Sequence, residues 1–182
     1  MNGAVRKTRI CSFETLDEKL RDAIRSHGTE YGLQDLETDV LMCCETLSAW
    51  QEKGFHGGIR TSLSAIYVTP RWLVWADGSR DQEAMAGTAQ LKHIDVGDAH
   101  SAGGYSISPD QGLSVSGRTT RRTNPETLFL VLDSEAEGRQ FRRVLQDALL
   151  ASRRSGRFSK KAASHAMLLE EGDRATTAIK DP

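Results

Sequence analysis

Apolar residues recur at every second position through the middle of the chain, a spacing that predicts β-strands. Residues 63–68 and 72–76 form two short apolar runs separated by a Thr-Pro-Arg tripeptide at 69–71. Proline donates no backbone hydrogen bond, so the tripeptide is expected to be a turn between neighbouring strands. On the second run, Trp72 and Trp75 should point to opposite faces of the sheet, because strand side chains alternate.

The remaining strands are predicted from similar runs bounded by glycine-rich or polar segments. The run 38–50 is ambiguous on its own, since a helix also fits it, but the loop that follows favours a strand. The segment 97–112 is either a long loop or a loop with a short strand at 105–107. In all, about seven strands are expected, the other five being 38–50, 84–96, 105–107, 112–117 and 127–133, with turns at 53–62, 76–83 and 118–125.

Two stretches instead show the spacing of an amphipathic helix. Residues 14–27 place Leu16, Leu20 and Ile24 on one face, and the sequence from Thr15 to Glu18 fits a capping box. Residues 134–151 form a stronger case, with an apolar stripe opposite a basic face. That stripe consists of Phe141, Val144, Leu145, Ala148 and Leu149.

The order helix, strands, helix predicts an α+β domain with an antiparallel sheet, because short turns join consecutive strands. The last helix must bury its stripe against an open end of that sheet. We divide the chain into an N-terminal helical extension (1–35), a globular domain (36–151) and a basic tail (152–182) that is partly helical or disordered.

Charge is unevenly distributed along the 182 residues, although the net charge is only −1. Residues 36–151 contain 11 basic against 15 acidic residues, a balance of −4, and residues 152–182 contain 7 against 4, or +3. Nucleic acid and anionic lipid are bound through clustered Lys and Arg. The domain's acidic balance therefore disfavours both partners, nucleic acid above all.

The apolar segments and the cysteines of the sequence indicate its cellular setting. No window is long and apolar enough to span a membrane, and the N-terminus has no apolar core of a secretory signal. Three cysteines, two of them adjacent, make a poor disulfide framework. A reducing, cytoplasmic location is expected.

The run Tyr-Val-Thr-Pro-Arg-Trp-Leu-Val-Trp at 67–75, together with the closing strand and helix, resembles the pleckstrin-homology-like superfamily. In bacterial and GRAM-type members of that superfamily, a strand ending in Thr leads through an Arg-containing turn into an apolar strand. The resemblance covers residues 36–151. It implies a small antiparallel barrel or sandwich of about seven strands capped by the C-terminal helix.

No catalytic, cofactor or metal site is predicted. Cys43 and Cys44 would point to opposite faces of a strand and so cannot share one ion. The five histidines are dispersed without metal-ligand spacing, and phosphate-binding and nucleophile-elbow motifs are missing from the sequence. We expect a protein that is not an enzyme.

Candidate partner-binding residues are basic and aromatic. Arg118, Arg121 and Arg122, with Arg71 nearby, could hold an acidic peptide or a phosphate, or could simply be a solvated turn. Trp72 and Trp75 are either both packing residues or include one exposed anchor. Because they point to opposite faces, one is expected to lie in the core and the other to be covered by residues 1–35 or the tail. Lipid-binding relatives carry a basic first loop, whereas here it offers only Lys53, His56 and Arg60.

Three functions remain open at this point. The first is a non-catalytic interaction module that binds a protein segment, from another protein or from a second copy of this chain. The second is a membrane-surface adaptor, making weak contact through the 118–122 turn or the tail, where basic residues flank Phe158. The third is a small-ligand carrier or enzyme that uses the glycine-rich 97–112 loop. The basic tail residues are Arg153, Arg154, Arg157, Lys160 and Lys161.

Overall fold

The computed structural model describes residues 5–51, 58–79, 82–98, 112–120 and 122–154. Within them lie eight strands, two α-helices and two short 3-10 helices, Phe13–Thr15 and Leu91–His93. The strands and helices in chain order are β1 (Val5–Cys11), α1 (Glu18–Glu30), β2 (Met42–Gln51), β3 (Ile59–Val68), β4 (Trp72–Ser79), β5 (Gln82–Gln90), β6 (Ile94–Asp98), β7 (Leu113–Thr119), β8 (Arg122–Leu130) and α2 (136–154).

The fold is α+β, with two antiparallel sheets and a C-terminal helix. Strands β1 to β5 form a five-stranded sheet in sequence order, and β6 to β8 form a three-stranded sheet in sequence order. The predicted α+β class, the antiparallel pairing and the closing helix are thereby confirmed. Over the described residues the two sheets do not close into a barrel.

The five-stranded sheet is covered on both faces. One face packs against the smaller sheet and α2, and this first core contains Trp75, Leu73 and the α2 stripe. The other face packs against α1 and the segments beside it, and this second core contains Trp72 and Tyr67. The prediction that the two tryptophans face opposite sides, one of them covered by residues 1–35, is confirmed.

The predicted turn at 69–71 is also confirmed. Thr69 donates its N–H to the Trp72 carbonyl at 2.9 Å, and the Trp72 N–H donates to Thr69 Oγ1 at 2.9 Å. Pro70 occupies a position where no donor is needed, which suits a residue without an N–H. This turn aligns β3 and β4 so that both tryptophans reach their cores.

The N-terminal region differs from prediction in two ways. Strand β1 was not predicted; it pairs antiparallel with β2 at the sheet edge, and its three basic residues are typical of edge strands. Helix α1 begins at Glu18 and ends at Glu30, so the predicted range 14–27 is shifted. Its N-cap is Asp17, not Thr15, because the Asp17 carboxylate accepts the Lys19 N–H at 3.0 Å.

Several other boundaries also differ. Strand β3 already begins at Ile59, inside the predicted 53–62 loop, and the predicted turn 76–83 is shorter because β4 ends at Ser79 and β5 begins at Gln82. The predicted strand 84–96 is broken at Leu91–His93, so β5 and β6 belong to different sheets. The predicted turn 118–125 is shorter, because β8 already begins at Arg122, and that strand ends at Leu130 instead of residue 133. The closing helix runs over 136–154, two residues later than predicted at its start. The short strand at 105–107 lies outside the described residues.

Gly87 allows β5 to lie directly against an indole ring, and replacing it by alanine is expected to destabilise the fold by roughly 1–3 kcal/mol. A Cβ at this position would lie 2.6 Å from the Trp75 ring. Gly97→Ala is the matched control, because a Cβ there meets nothing within 4 Å. Urea unfolding of both variants checks this. Equal stability of the two would contradict the close packing of Trp75.

Candidate functional site

A groove of about 720 Å³ lies between α1 and the edge strand β5. We call it the α1–β5 groove. One wall is the exposed side of α1, and the other is the first half of β5. It is lined by Lys19, Asp22, Ala23, Ser26, His27 and Glu30 from α1 and by Gln82, Glu83, Ala84, Met85 and Ala86 from β5.

The start of α1 is fixed to the sheet by a buried carboxylate. Glu45 on β2 is 7% exposed, and its Oε2 accepts the Asp17 N–H at 2.8 Å. Its Oε1 accepts from the Arg9 guanidinium on β1, at 2.9 Å from Nε and 2.7 Å from the terminal nitrogen. One side chain thus joins β1, β2 and the helix N-terminus, where negative charge is favourable.

The end of α1 is fixed by a buried histidine. His27 is 5% exposed, and its Nε2 lies 2.8 Å from Thr120 Oγ1 and 3.3 Å from Thr88 Oγ1. The two threonine hydroxyls are 2.9 Å apart. Thr88 is on β5 and Thr120 is in the turn between β7 and β8, so this cluster connects the helix to both sheets. The groove walls are therefore held in place at both ends.

The outer edge of β5 is closed at only one described position. Thr120 donates its N–H to the Thr88 carbonyl at 2.9 Å, which shows that the backbone of Thr88 points away from β4. Ladder bonds alternate along a strand, so Ala86 presents its N–H and C=O groups to the same side as Thr88. Beyond Met85 the register of β5 against β4 shifts, with Gln82 paired to Ser79, so this regular alternation is interrupted before Ala84. Among the residues that the structure describes, none bonds to Ala86 across this edge. An unpaired edge is a template for another strand.

Charged side chains around the groove are mainly acidic. Asp22, Glu30 and Glu83 face one lysine, Lys19, and the three carboxylates belong to exposed residues. The field in the groove therefore favours a ligand that carries positive charge.

A second group of reactive side chains lies at the opposite edge, on β1 and β2. Cys11 and Cys43 are direct partners in the ladder, with Sγ atoms 3.7 Å apart. The pKa of the Cys11 thiol is lowered, mainly by its hydrogen bond with Cys43 and to a smaller extent by the positive charge of Arg9. Burial and the negative charge of Glu45 oppose this shift. The same contact and burial raise the pKa of the Cys43 thiol. Burial raises the pKa of Cys44, on the other face, to about 12.

The predicted aromatic site residues lie inside the protein. Trp72 and Trp75 are each 6% exposed. This burial favours the interpretation that both are packing residues, and their role in partner binding stays a prediction. Arg71 is exposed and forms an ion pair with Asp35 at 3.0 Å.

The predicted basic clusters are only partly described. Arg118 is exposed on β7, whereas Arg121 and the side chain of Arg122 lie outside the described part. Arg153 pairs with Asp95 and donates to the Ile94 carbonyl, so this tail residue is fixed to β6. The other basic tail residues from 157 onward, Lys53, His56 and most of the 97–112 loop are likewise not described.

Two further features of the described residues concern metals and membranes. Over the described ranges, no cluster of three or more His, Cys, Asp or Glu side chains is placed to hold a metal ion. No described helix is long and apolar enough to cross a membrane.

Comparison with known proteins assigns no function to the site, so the proposal below rests on its geometry. No family model matches the chain, and neither the curated proteins nor the solved structures contain a match.

Sequence reasoning missed both the groove and the thiol pair. A signal for His27 was present, because it follows Leu20 by seven residues and Ile24 by three, which places it on the buried face of α1. Thr88 and Thr120 gave no signal, since isolated threonines are common. The thiol pair was missed because Cys11 lies on β1, the strand that was not predicted.

Proposed function

We propose that this chain is a non-catalytic interaction module that binds an extended segment of another protein, or of a second copy of itself, in the α1–β5 groove. The segment adds to β5 as a sixth strand of the larger sheet. The observation that carries this function is the outward-facing backbone of Ala86 at the edge of the five-stranded sheet. The order of strands and closing helix supports a pleckstrin-homology-like architecture for the module.

Strand addition supplies affinity through backbone hydrogen bonds and specificity through pockets for alternate side chains. The groove offers both parts. The five residues from 82 to 86 provide about 16 Å of edge, at about 3.3 Å per residue. Every second side chain of an added strand would point toward α1, where Asp22 and Glu30 are exposed. The preferred segment is therefore extended and carries Lys or Arg at alternate positions.

A displayed library of random twelve-residue peptides, selected on the full chain, tests this function. We expect basic, strand-forming peptides, and Ala86→Pro should weaken their binding about twofold to tenfold, because it removes an outward N–H and one hydrogen bond contributes about 0.5–1.5 kcal/mol. Proline is tolerated at sheet edges, so the variant should still fold. Ala86→Gly is the matched control, because it changes the same residue but keeps the outward N–H.

The charge preference is tested with the double variant Asp22→Asn, Glu30→Gln. Exposed charge pairs contribute about 0.2–1 kcal/mol each, so removing two should lower the affinity for a basic peptide about twofold to thirtyfold. The loss should shrink as salt is added. Selected peptides that bind Ala86→Pro as tightly as the unchanged chain would overturn the groove assignment. Sedimentation with phosphatidylserine vesicles in the absence of peptide binding would instead support a membrane adaptor.

A further inference from the structure

We propose that Cys11 and Cys43 form a peroxide-oxidised dithiol site, in which a hydroperoxide converts the two thiols into a disulfide joining β1 and β2. The site is separate from the α1–β5 groove and does not depend on the function proposed for it. Both cysteines are free thiols in the structure.

The backbone geometry already suits a disulfide. Directly opposed residues in antiparallel strands have Cα atoms about 4.5–5.5 Å apart, within the range of about 4.4–6.8 Å seen in disulfides. The Sγ atoms are 3.7 Å apart and would need to close to about 2.0 Å. A rotation about the side-chain bonds can supply this movement without shifting either strand.

The two thiols differ in the way that an attacking and a resolving cysteine should. Cys11 is partly exposed, and its thiolate is favoured by Cys43 and Arg9, so it is the group that a small oxidant reaches. Cys43 is 2% exposed and remains a thiol beside it. Cys44 points into the first core, on the opposite face of the sheet from Cys11 and Cys43, so its sulfur cannot reach theirs.

The chemistry balances with hydrogen peroxide as the oxidant. The Cys11 thiolate attacks one oxygen, the O–O bond breaks, and Cys11 becomes a sulfenic acid while hydroxide leaves and takes up a proton. The Cys43 sulfur then attacks the Cys11 sulfur, the S–O bond breaks, and water leaves with the Cys43 proton. Two thiols lose two electrons in total, and one peroxide becomes two waters.

The cross-link would close the segment 12–42, which contains α1. Closing a loop of this size restricts the unfolded chain, so the oxidised protein should melt about 5–10 °C higher than the reduced protein. In the reducing compartment that the sequence predicts, the bond would be transient and reversed by cellular thiols.

The test treats the full chain with hydrogen peroxide and counts free thiols after denaturation. We expect the number of free thiols per chain to fall from three to one. The mass map should show a linked Cys11–Cys43 peptide, and dithiothreitol should restore all three thiols. The control Cys44→Ala should fall from two thiols to none with the same linked peptide. In Cys43→Ala, dimedone should trap a sulfenic acid on Cys11.

The mass map of the unchanged chain decides the proposal, so the result does not depend on how well any variant folds. Three thiols remaining at a peroxide dose that oxidises ordinary exposed cysteines would overturn it. So would a linkage that includes Cys44 or one that only joins two chains.

Discussion

Replacing Leu145 by alanine is expected to lower the free energy of unfolding by about 2–4 kcal/mol, because deleting a buried leucine loses its packing and leaves a cavity. Leu145 on α2 is 1% exposed and lies in the core between the two sheets. Phe141 and Leu149 on the same stripe contact that core as well. The single substitution thus reports on whether α2 holds both sheets together.

Leu150→Ala is the matched control for this prediction. It makes the same chemical change five residues further along the same helix, but Leu150 is 54% exposed. Its effect should stay within about 0.5 kcal/mol, as for most surface substitutions. Urea denaturation followed by circular dichroism measures both. Equal losses from the two variants would show that α2 is not docked through this stripe.

Much of the fold could be predicted because local pattern and tertiary packing agree there. The apolar alternation around Trp72 and Trp75 requires a sheet with two buried faces, and the structure has a core on each side. The apolar stripe containing Leu145 must likewise be buried, and in this fold it packs against the sheets. In such segments each local preference matches the final environment.

Strand β1 could not be predicted because its sequence lacks that agreement. Among its seven residues, Val5–Cys11, only Thr8 is buried, so no apolar alternation appears. The strand is stabilised by partners distant in sequence, such as Glu45 on β2, and not by its own pattern. The break between β5 and β6 was hidden for a similar reason, since Leu91 continues the apolar run while the backbone turns.

The candidate site was harder to predict than the fold, because it depends on relations between elements. The groove exists because α1 crosses beside a sheet edge, and the thiol pair exists because Cys11 is in register with Cys43. Neither relation has a local sequence signal. The basic residues that did have one, Arg118 and Arg71, lie on the surface.

A buried aspartate joins the two ends of the described chain. Asp133 is 3% exposed, and its Oδ2 accepts the Thr8 N–H of β1 at 2.7 Å. Its Oδ1 accepts the Glu135 N–H at 3.0 Å, beside the start of α2. The Asp133 N–H in turn donates to Thr8 Oγ1 at 3.1 Å. The edge of β1 is thus closed at Thr8 by the segment that leads into the closing helix.

Asp133→Ala is therefore expected to destabilise the protein by about 3 kcal/mol, since hydrogen bonds to a charged group contribute about 1.5–3 kcal/mol and a buried N–H is left without an acceptor. Asp133→Asn keeps one acceptor oxygen and should cost less. Asp95→Ala is the matched control, because that carboxylate is 86% exposed and its ion pair with Arg153 should contribute under about 1 kcal/mol. Chemical denaturation ranks the three variants, and hydrogen exchange at the Thr8 amide should accelerate in Asp133→Ala alone. An unchanged Thr8 exchange rate in that variant would show that Asp133 does not hold β1.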